Sequence, residues 1–247
     1  MSLLSRRKTE APVPPPAPGL TERHRACEWD AMTERQQRLV WRMTGILLDY
    51  PGTETLAMLD ELAAEARALP APAGPALAGF CAHLAAVPPT VLAQSYVETF
   101  DLRRRHCLHL SYFAFGDTRK RGMALLRLKH AYKEAGAELG DHELPDHLCV
   151  LLEFAATVEP VVGRRLLMEY LPVLELLRRA LTEAGSPYAT LLTALGATLP
   201  ALGPAELRRV AELAAEGPPG EDVGLEPYGI DPSVAERLGA ELEGGRR

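Results

Sequence analysis

The chain has 247 residues, 47% of them hydrophobic and 24% charged, a balance that supports a sizeable core and argues against both a wholly disordered chain and a coiled-coil rod. Lys and Arg total 27 against 33 Asp and Glu, and the net charge of −6 disfavours a general nucleic-acid binder, which needs a basic field to displace phosphate counterions. Aromatics are only 6%, and Ala and Leu outweigh β-branched residues, so the composition is that of helices rather than sheets.

The N-terminus reads Ser5-Arg6-Arg7-Lys8, the type of run that opens a twin-arginine export signal. The stretch that follows carries Pro12, Pro14, Pro15, Pro16 and Pro18, and has no apolar region of the kind such a signal requires. No window approaches the roughly 18 uninterrupted apolar residues of a membrane span. The expectation is a cytoplasmic protein with no membrane insertion. Residues 1–28 read as a disordered, Pro-rich arm, 29–216 as one helical domain, and 217–247 as a polar, largely disordered tail. Cys27, Cys81, Cys107 and Cys149 lie far apart with no C-x-x-C pair, which favours reduced thiols over a disulfide framework or a zinc ribbon.

The first helix starts at Thr33, with Gln36 in capping-box spacing, and its apolar face runs to Tyr50 before the Pro51-Gly52 stop. A second is predicted over Thr53 to Leu69, a third from Pro75 to Val87, and a fourth after Pro88-Pro89 through Phe100. Periodicity weakens from Leu102 to Phe115. Asp117 then reads as the N-cap of a long helix ending at Gly136. Pro145 to Thr157, Pro160 to Ala184, Pro187 to Leu199 and Pro204 to Glu216 follow, with a kink expected at Pro172 and a weak turn of helix near Val234 to Leu242. No stretch alternates long enough for a convincing strand. The expected fold is all-α, a single compact multi-helix bundle of eight or nine helices.

The usual catalytic signatures are absent: there is no Gly-rich phosphate loop, no G-x-S-x-G and no H-E-x-x-H. His106, Cys107, His109, His147 and Cys149 invite a metal reading. On a helix, however, residues two apart point about 200° away from each other, so Cys107 with His109, or His147 with Cys149, would not face one ion. No metal and no cofactor is expected. The competing reading is a helical metal-dependent or small-molecule enzyme using His106, His109 and His147.

Polar and aromatic groups concentrate between Tyr96 and Phe154. The segment reads Tyr96-Val97-Glu98-Thr99-Phe100-Asp101, then Gly116-Asp117-Thr118-Arg119-Lys120-Arg121-Gly122, then Glu143-Leu144-Pro145-Asp146-His147-Leu148, and soon after Leu152-Glu153-Phe154. In this ordered combination the chain resembles the delta subunit of respiratory nitrate reductase, the NarJ-type molybdenum cofactor assembly chaperones within the wider TorD-like group. The wider group tends to carry Glu-Pro-x-Asp-His, whereas here Leu144 separates Glu143 from Pro145. The resemblance implies a TorD-like fold and a dedicated, non-enzymatic cytoplasmic chaperone. It implies as partner the apo nitrate reductase catalytic (alpha) subunit, including its N-terminal segment, or that subunit's complex with the beta subunit. Such a chaperone supports insertion of molybdenum cofactor and an iron–sulfur cluster, is absent from the mature enzyme, and leaves room for a transient homodimer.

On this reading Tyr96, Phe100 and Tyr112 line an apolar cleft, and Glu98, Asp101, Asp117, Glu143 and Asp146 give it a negative rim that steers a basic client peptide. Arg119, Pro145 and His147 complete the expected client-peptide-binding set. Structural roles compete for the same residues. Tyr96 and Phe100 share one helix face and suit core packing. Asp117 suits an N-cap, Asp146 suits a helix's first turn, and His147 suits a satisfied core position.

Overall fold

The computed structural model describes residues 4–6, as backbone, and 32–116, 118–140 and 143–217. Helix α1 (Glu34–Leu48) begins at the capping box expected from the sequence: Gln36 N donates to Thr33 Oγ1 at 3.3 Å, and Thr33 N donates to Gln36 Oε1 at 2.9 Å. Its apolar face buries Val40, Trp41, Met43, Leu47 and Leu48. That face lies along α8 (Leu148–Thr157), in which every residue from Leu148 to Ala156 is buried. A helix that is apolar all round belongs at the centre of a bundle.

Three polar links fix the α1–α8 seam and its surroundings. Arg42 pairs with the buried Glu153 at 3.2 Å, Arg38 Nε donates to the Ala156 carbonyl at 2.8 Å, and Trp41 Nε1 donates to Thr198 Oγ1 at 2.7 Å. Close approach needs small residues. A Cβ on Gly45 would meet Leu152 Cβ at 3.4 Å, and one on Gly163 would sit 2.4 Å from Ala155 Cα. The second position is where α9 (Pro160–Glu169) presses on α8.

Around this centre the chain adds α2 (Thr53–Ala57), α3 (Leu59–Arg67), α4 (Ala73–Ala86) and α5 (Pro89–Tyr96). Further along come α6 (Leu110–Phe115), α7 (Arg119–Glu134), α10 (Leu171–Glu183), α11 (Ala189–Gly196) and α12 (Pro204–Glu216). The all-α fold is as expected, with twelve α-helices among the described residues rather than eight or nine. Two expected helices are split. At Met58 the backbone tightens, its N–H reaching Thr55 O at 3.2 Å, and the stretch becomes α2 and α3. At Tyr170 the helix breaks ahead of Pro172, which has no N–H to give and instead sits in the first turn of α10. The third addition is α6, in the stretch where periodicity was weakest.

Other boundaries also shift. The N-cap of α7 is Thr118, and Asp117 lies outside the described residues, as does the Val234 to Leu242 turn. Helix α8 opens at Leu148 rather than Pro145. Past Gly136, whose φ of +75° suits glycine, strand β2 (Ala137–Leu139) pairs antiparallel with β1 (Leu4–Arg6), a short ribbon where no strand was expected.

Candidate partner-binding site

The turn before α8 is fastened to the rest of the fold by its backbone. Tyr132 Oη donates to the Pro145 carbonyl at 2.7 Å, Leu110 N to Asp146 O at 3.0 Å, and Leu148 N to Leu108 O at 2.9 Å. The last two pair His109 with His147 as an antiparallel bridge. This crossing pulls Asp146 out of the helix that a sequence reading would start at Pro145, and leaves His147 as the N-cap of α8.

Asp146 is completely buried. Its Oδ2 accepts from Ser111 N at 3.3 Å and from the Ser111 hydroxyl, and its Oδ1 lies 3.2 Å from His109 Nδ1. Ser111 N belongs to the first turn of α6, whose amides have no partner within the helix, so Asp146 caps α6 from a distant part of the chain. Burial alone would raise the carboxyl pKa. The His109 and Ser111 hydrogen bonds outweigh it and hold the group below the usual carboxylate range. His147, packed edge-to-face on His109 with ring centroids 5.0 Å apart, is pushed down to about 4, mainly by burial and then by His109. Asp146 therefore holds the interior together and, being buried, does not stand on an exposed rim as expected.

Tyr96 and Phe100 stand elsewhere. Helix α5 runs into one π-helical turn, Val97–Asp101, in which Leu102 N reaches back to Val97 O at 3.1 Å. The wider turn leaves the Thr99 carbonyl to accept from His106 Nδ1 at 2.9 Å. Tyr96 and Phe100 point inward to Tyr188, with centroids 6.1 and 4.8 Å away, and Phe80 joins Tyr188 at 4.9 Å. The π turn presents its other side to water: Val97, Glu98, Asp101 and Leu102 are exposed, Leu102 by 72%.

Tyr50, half exposed after α1, packs edge-on against Tyr96 at 5.4 Å. Asp49 is exposed beside it. Burial first, and then charges that include Cys149, Asp49 and Asp101, raise the Tyr96 hydroxyl pKa. Tyr50, Val97 and Leu102 are thus exposed apolar side chains next to the buried Tyr96 and Phe100, with the exposed acids Asp49, Glu98 and Asp101 beside them in the chain and the exposed Arg103, Arg104 and Arg105 directly after Leu102.

The expected set is thus divided. Tyr96, Glu98, Phe100 and Asp101 come together on the π turn. Tyr112 lies apart from them, half-buried against Phe113 with the Arg121 guanidinium 5.5 Å from its ring centre. Pro145, Asp146 and His147 form the α6–α8 crossing, Glu143 is half-buried just before it, and Arg119 is exposed at the start of α7. Sequence reading overlooked Ser111, Tyr50, Leu102 and Tyr188. Tyr50 and Leu102 carry a usable signal, each being a large apolar side chain at a helix end beside an acid. Ser111 and Tyr188 carry none, because their partners are remote in the chain. Of the histidines of the competing enzyme reading, His109 and His147 meet while His106 turns to Thr99, and among the described residues no group of three His, Cys, Asp or Glu is placed to hold a metal ion.

The sequence model of the family described as nitrate reductase delta subunit matches residues 66–194, a span that contains the π turn and the α6–α8 crossing. The chain belongs to the nitrate reductase delta subunit family. Among curated relatives, the nitrate reductase-like protein NarX of Mycobacterium tuberculosis is 41% identical over 157 residues, which is 64% of this chain and 24% of the relative. The probable nitrate reductase molybdenum cofactor assembly chaperone NarJ of Bacillus subtilis is 38% identical over 115 residues, 47% of this chain and 62% of the relative. Its Escherichia coli namesake is 32% identical over 152 residues, 60% and 64% of the two chains. The chain therefore spans less than two thirds of each relative. Among the described residues no helix is long and apolar enough to cross a membrane.

Proposed function

We propose that this member of the delta subunit family is a dedicated cytoplasmic chaperone for assembly of respiratory nitrate reductase, with no catalytic step of its own. It takes the apo catalytic subunit, alone or with the beta subunit, by its N-terminal segment. It holds that subunit open while molybdenum cofactor and iron–sulfur cluster are inserted, then leaves. The observation that carries the reading is the family match across residues 66–194, supported by relatives whose names are those of assembly chaperones.

The patch on the π turn supplies what such a task needs. Tyr50, Val97 and Leu102 offer apolar anchors to one face of an amphipathic helix, while Asp49, Glu98 and Asp101 attract a basic segment and set its register. The aromatic packing of Tyr96, Phe100 and Tyr188 holds the platform rigid, which lowers the ordering cost of binding. Asp146, His147 and Pro145 act on the fold instead, by fastening the start of α8 to α6 and α7. Co-expression with an affinity-tagged catalytic subunit tests the function. The chain should be recovered with the apo subunit, lost when the subunit's N-terminal segment is deleted, and absent once cofactor is loaded. Recovery with the loaded enzyme at equal yield would refute release.

A further inference from the structure

Among the described residues helix α7 is buried on one side only. Leu128 and Tyr132 face inward, whereas Met123 and Leu126 are 61% and 62% exposed. Residues two apart on a helix diverge by about 200°, so Leu126 points away from the buried Leu128. Arg119, Met123, Leu126, His130 and Lys133 recur at spacings of four and three and make one stripe with an apolar middle, Arg119 at one end and Lys133 at the other, His130 lying 3.3 Å from the Glu134 carboxylate. In a chain of net charge −6, this helix holds six Lys and Arg against a single Glu. Large exposed apolar side chains on a cationic helix fit an acidic amphipathic partner.

The same chain carries such a partner beyond Gly217, outside the described residues. Residues 218–243 hold seven Asp and Glu and one Arg. Asp231-Pro232 is a helix-start signal, and Val234, Leu238 and Leu242 then recur every fourth residue. The thirteen residues 218–230 reach about 45 Å when extended, enough to cross a domain with a radius of gyration of about 16 Å.

We propose that residues 232–243 dock as an acidic helix on the exposed stripe of α7, with Val234 and Leu238 against Met123 and Leu126 and their carboxylates toward the cationic ends. The tail is then an intramolecular cover over a basic docking face. Two copies of α7 facing each other would bring like charges together, and an external acidic partner has to displace a tethered one. The inference does not depend on what the π turn binds.

Amide hydrogen exchange along α7 tests it, comparing the full chain, the full chain with Leu238→Glu, and the chain ended at Gly217. A tethered concentration of roughly 1 mM against an affinity of about 0.1 mM gives about tenfold protection. Exchange over residues 119–134 should therefore rise about tenfold in both altered chains, with α8 unchanged, and a peptide spanning residues 229–244 should restore protection when added at about that concentration. Leu126→Lys in the full chain should match Leu238→Glu. Equal exchange in all the chains would overturn the proposal. So would protection that follows protein concentration rather than the tail, which indicates a second copy, or protection produced only by anionic phospholipid vesicles and alike with and without the tail.

Discussion

Two acidic sites lie within fifty residues of each other in the sequence and do opposite things. Asp146 is fully buried, with both oxygens committed to Ser111 and His109, and its charge serves the fold. Glu98 and Asp101, on the π turn, are left in water beside Val97 and Leu102. The difference lies in what the backbone does nearby. At the α6–α8 crossing two remote stretches pair and enclose a carboxylate that must then be satisfied from within. On the π turn one helix widens, and its outer side chains meet no facing element among the described residues. A dense motif thus marks where specification is concentrated, and burial decides whether it specifies the fold or a partner.

The sharpest way to break this contrast is Asp146→Ala. It leaves a buried serine hydroxyl, an α6 amide and His109 without their acceptor, and removal of one member of a buried charged network costs about 3–5 kcal/mol. Urea unfolding should show a loss of that order; a loss below about 0.5 kcal/mol, the range of ordinary surface changes, would mean that Asp146 is not structural. Next in size is Gly163→Ala, whose new Cβ would collide with Ala155 and force α9 off α8, at about 1–3 kcal/mol in the same measurement. An unchanged midpoint would show that the α8–α9 contact yields freely.

Acid sharpens the interior half of the comparison. His147 has its pKa lowered from the ordinary 6.5 to about 4, so the unfolded chain binds a proton that the folded chain refuses. Stability is therefore full above pH 6.5 and falls by up to about 1.4 kcal/mol per pH unit as the pH drops toward 4. The lowered carboxyl of Asp146 adds a further loss only at still lower pH. Thermal melts between pH 7 and 4.5 should show this slope in the native chain and a flatter one in His147→Gln; identical slopes would place the titrating group elsewhere. The smallest effect on stability belongs to the exterior half. Glu98→Gln with Asp101→Asn should change the unfolding free energy by no more than about 0.5 kcal/mol. The same pair should slow association of a basic client peptide and flatten its salt dependence, which stopped-flow binding would report. An unaltered on-rate would remove the steering role.

Much of the fold was legible because helices announce themselves locally. The Thr33–Gln36 box, the Pro-led starts and the period of α1 and α12 all act within a few residues. What was not legible depended on distance. Helix α6 has six residues and too little periodicity to register, and it is capped by an aspartate thirty-five residues away. The β1–β2 ribbon joins residues more than 130 apart. Of the site, Glu98 and Asp101 could be named from the motif alone. Tyr96 and Phe100, four apart, suited core packing at least as well as a cleft, and only the placement of Tyr188 shows what they pack against in the core. Asp146 was misplaced because a proline followed by an acid reads as a helix start wherever the next element is unseen.

The central claim is that the exposed side of the π turn receives the N-terminal segment of the apo catalytic subunit of nitrate reductase. Titration calorimetry of that peptide against the full chain and against Leu102→Asp tests it most directly. The account predicts a 1:1 complex that weakens as salt is raised and is lost in the variant, whose melting temperature stays that of the native chain. Binding of equal strength to both chains, or no heat at micromolar concentrations with the native chain, would contradict it.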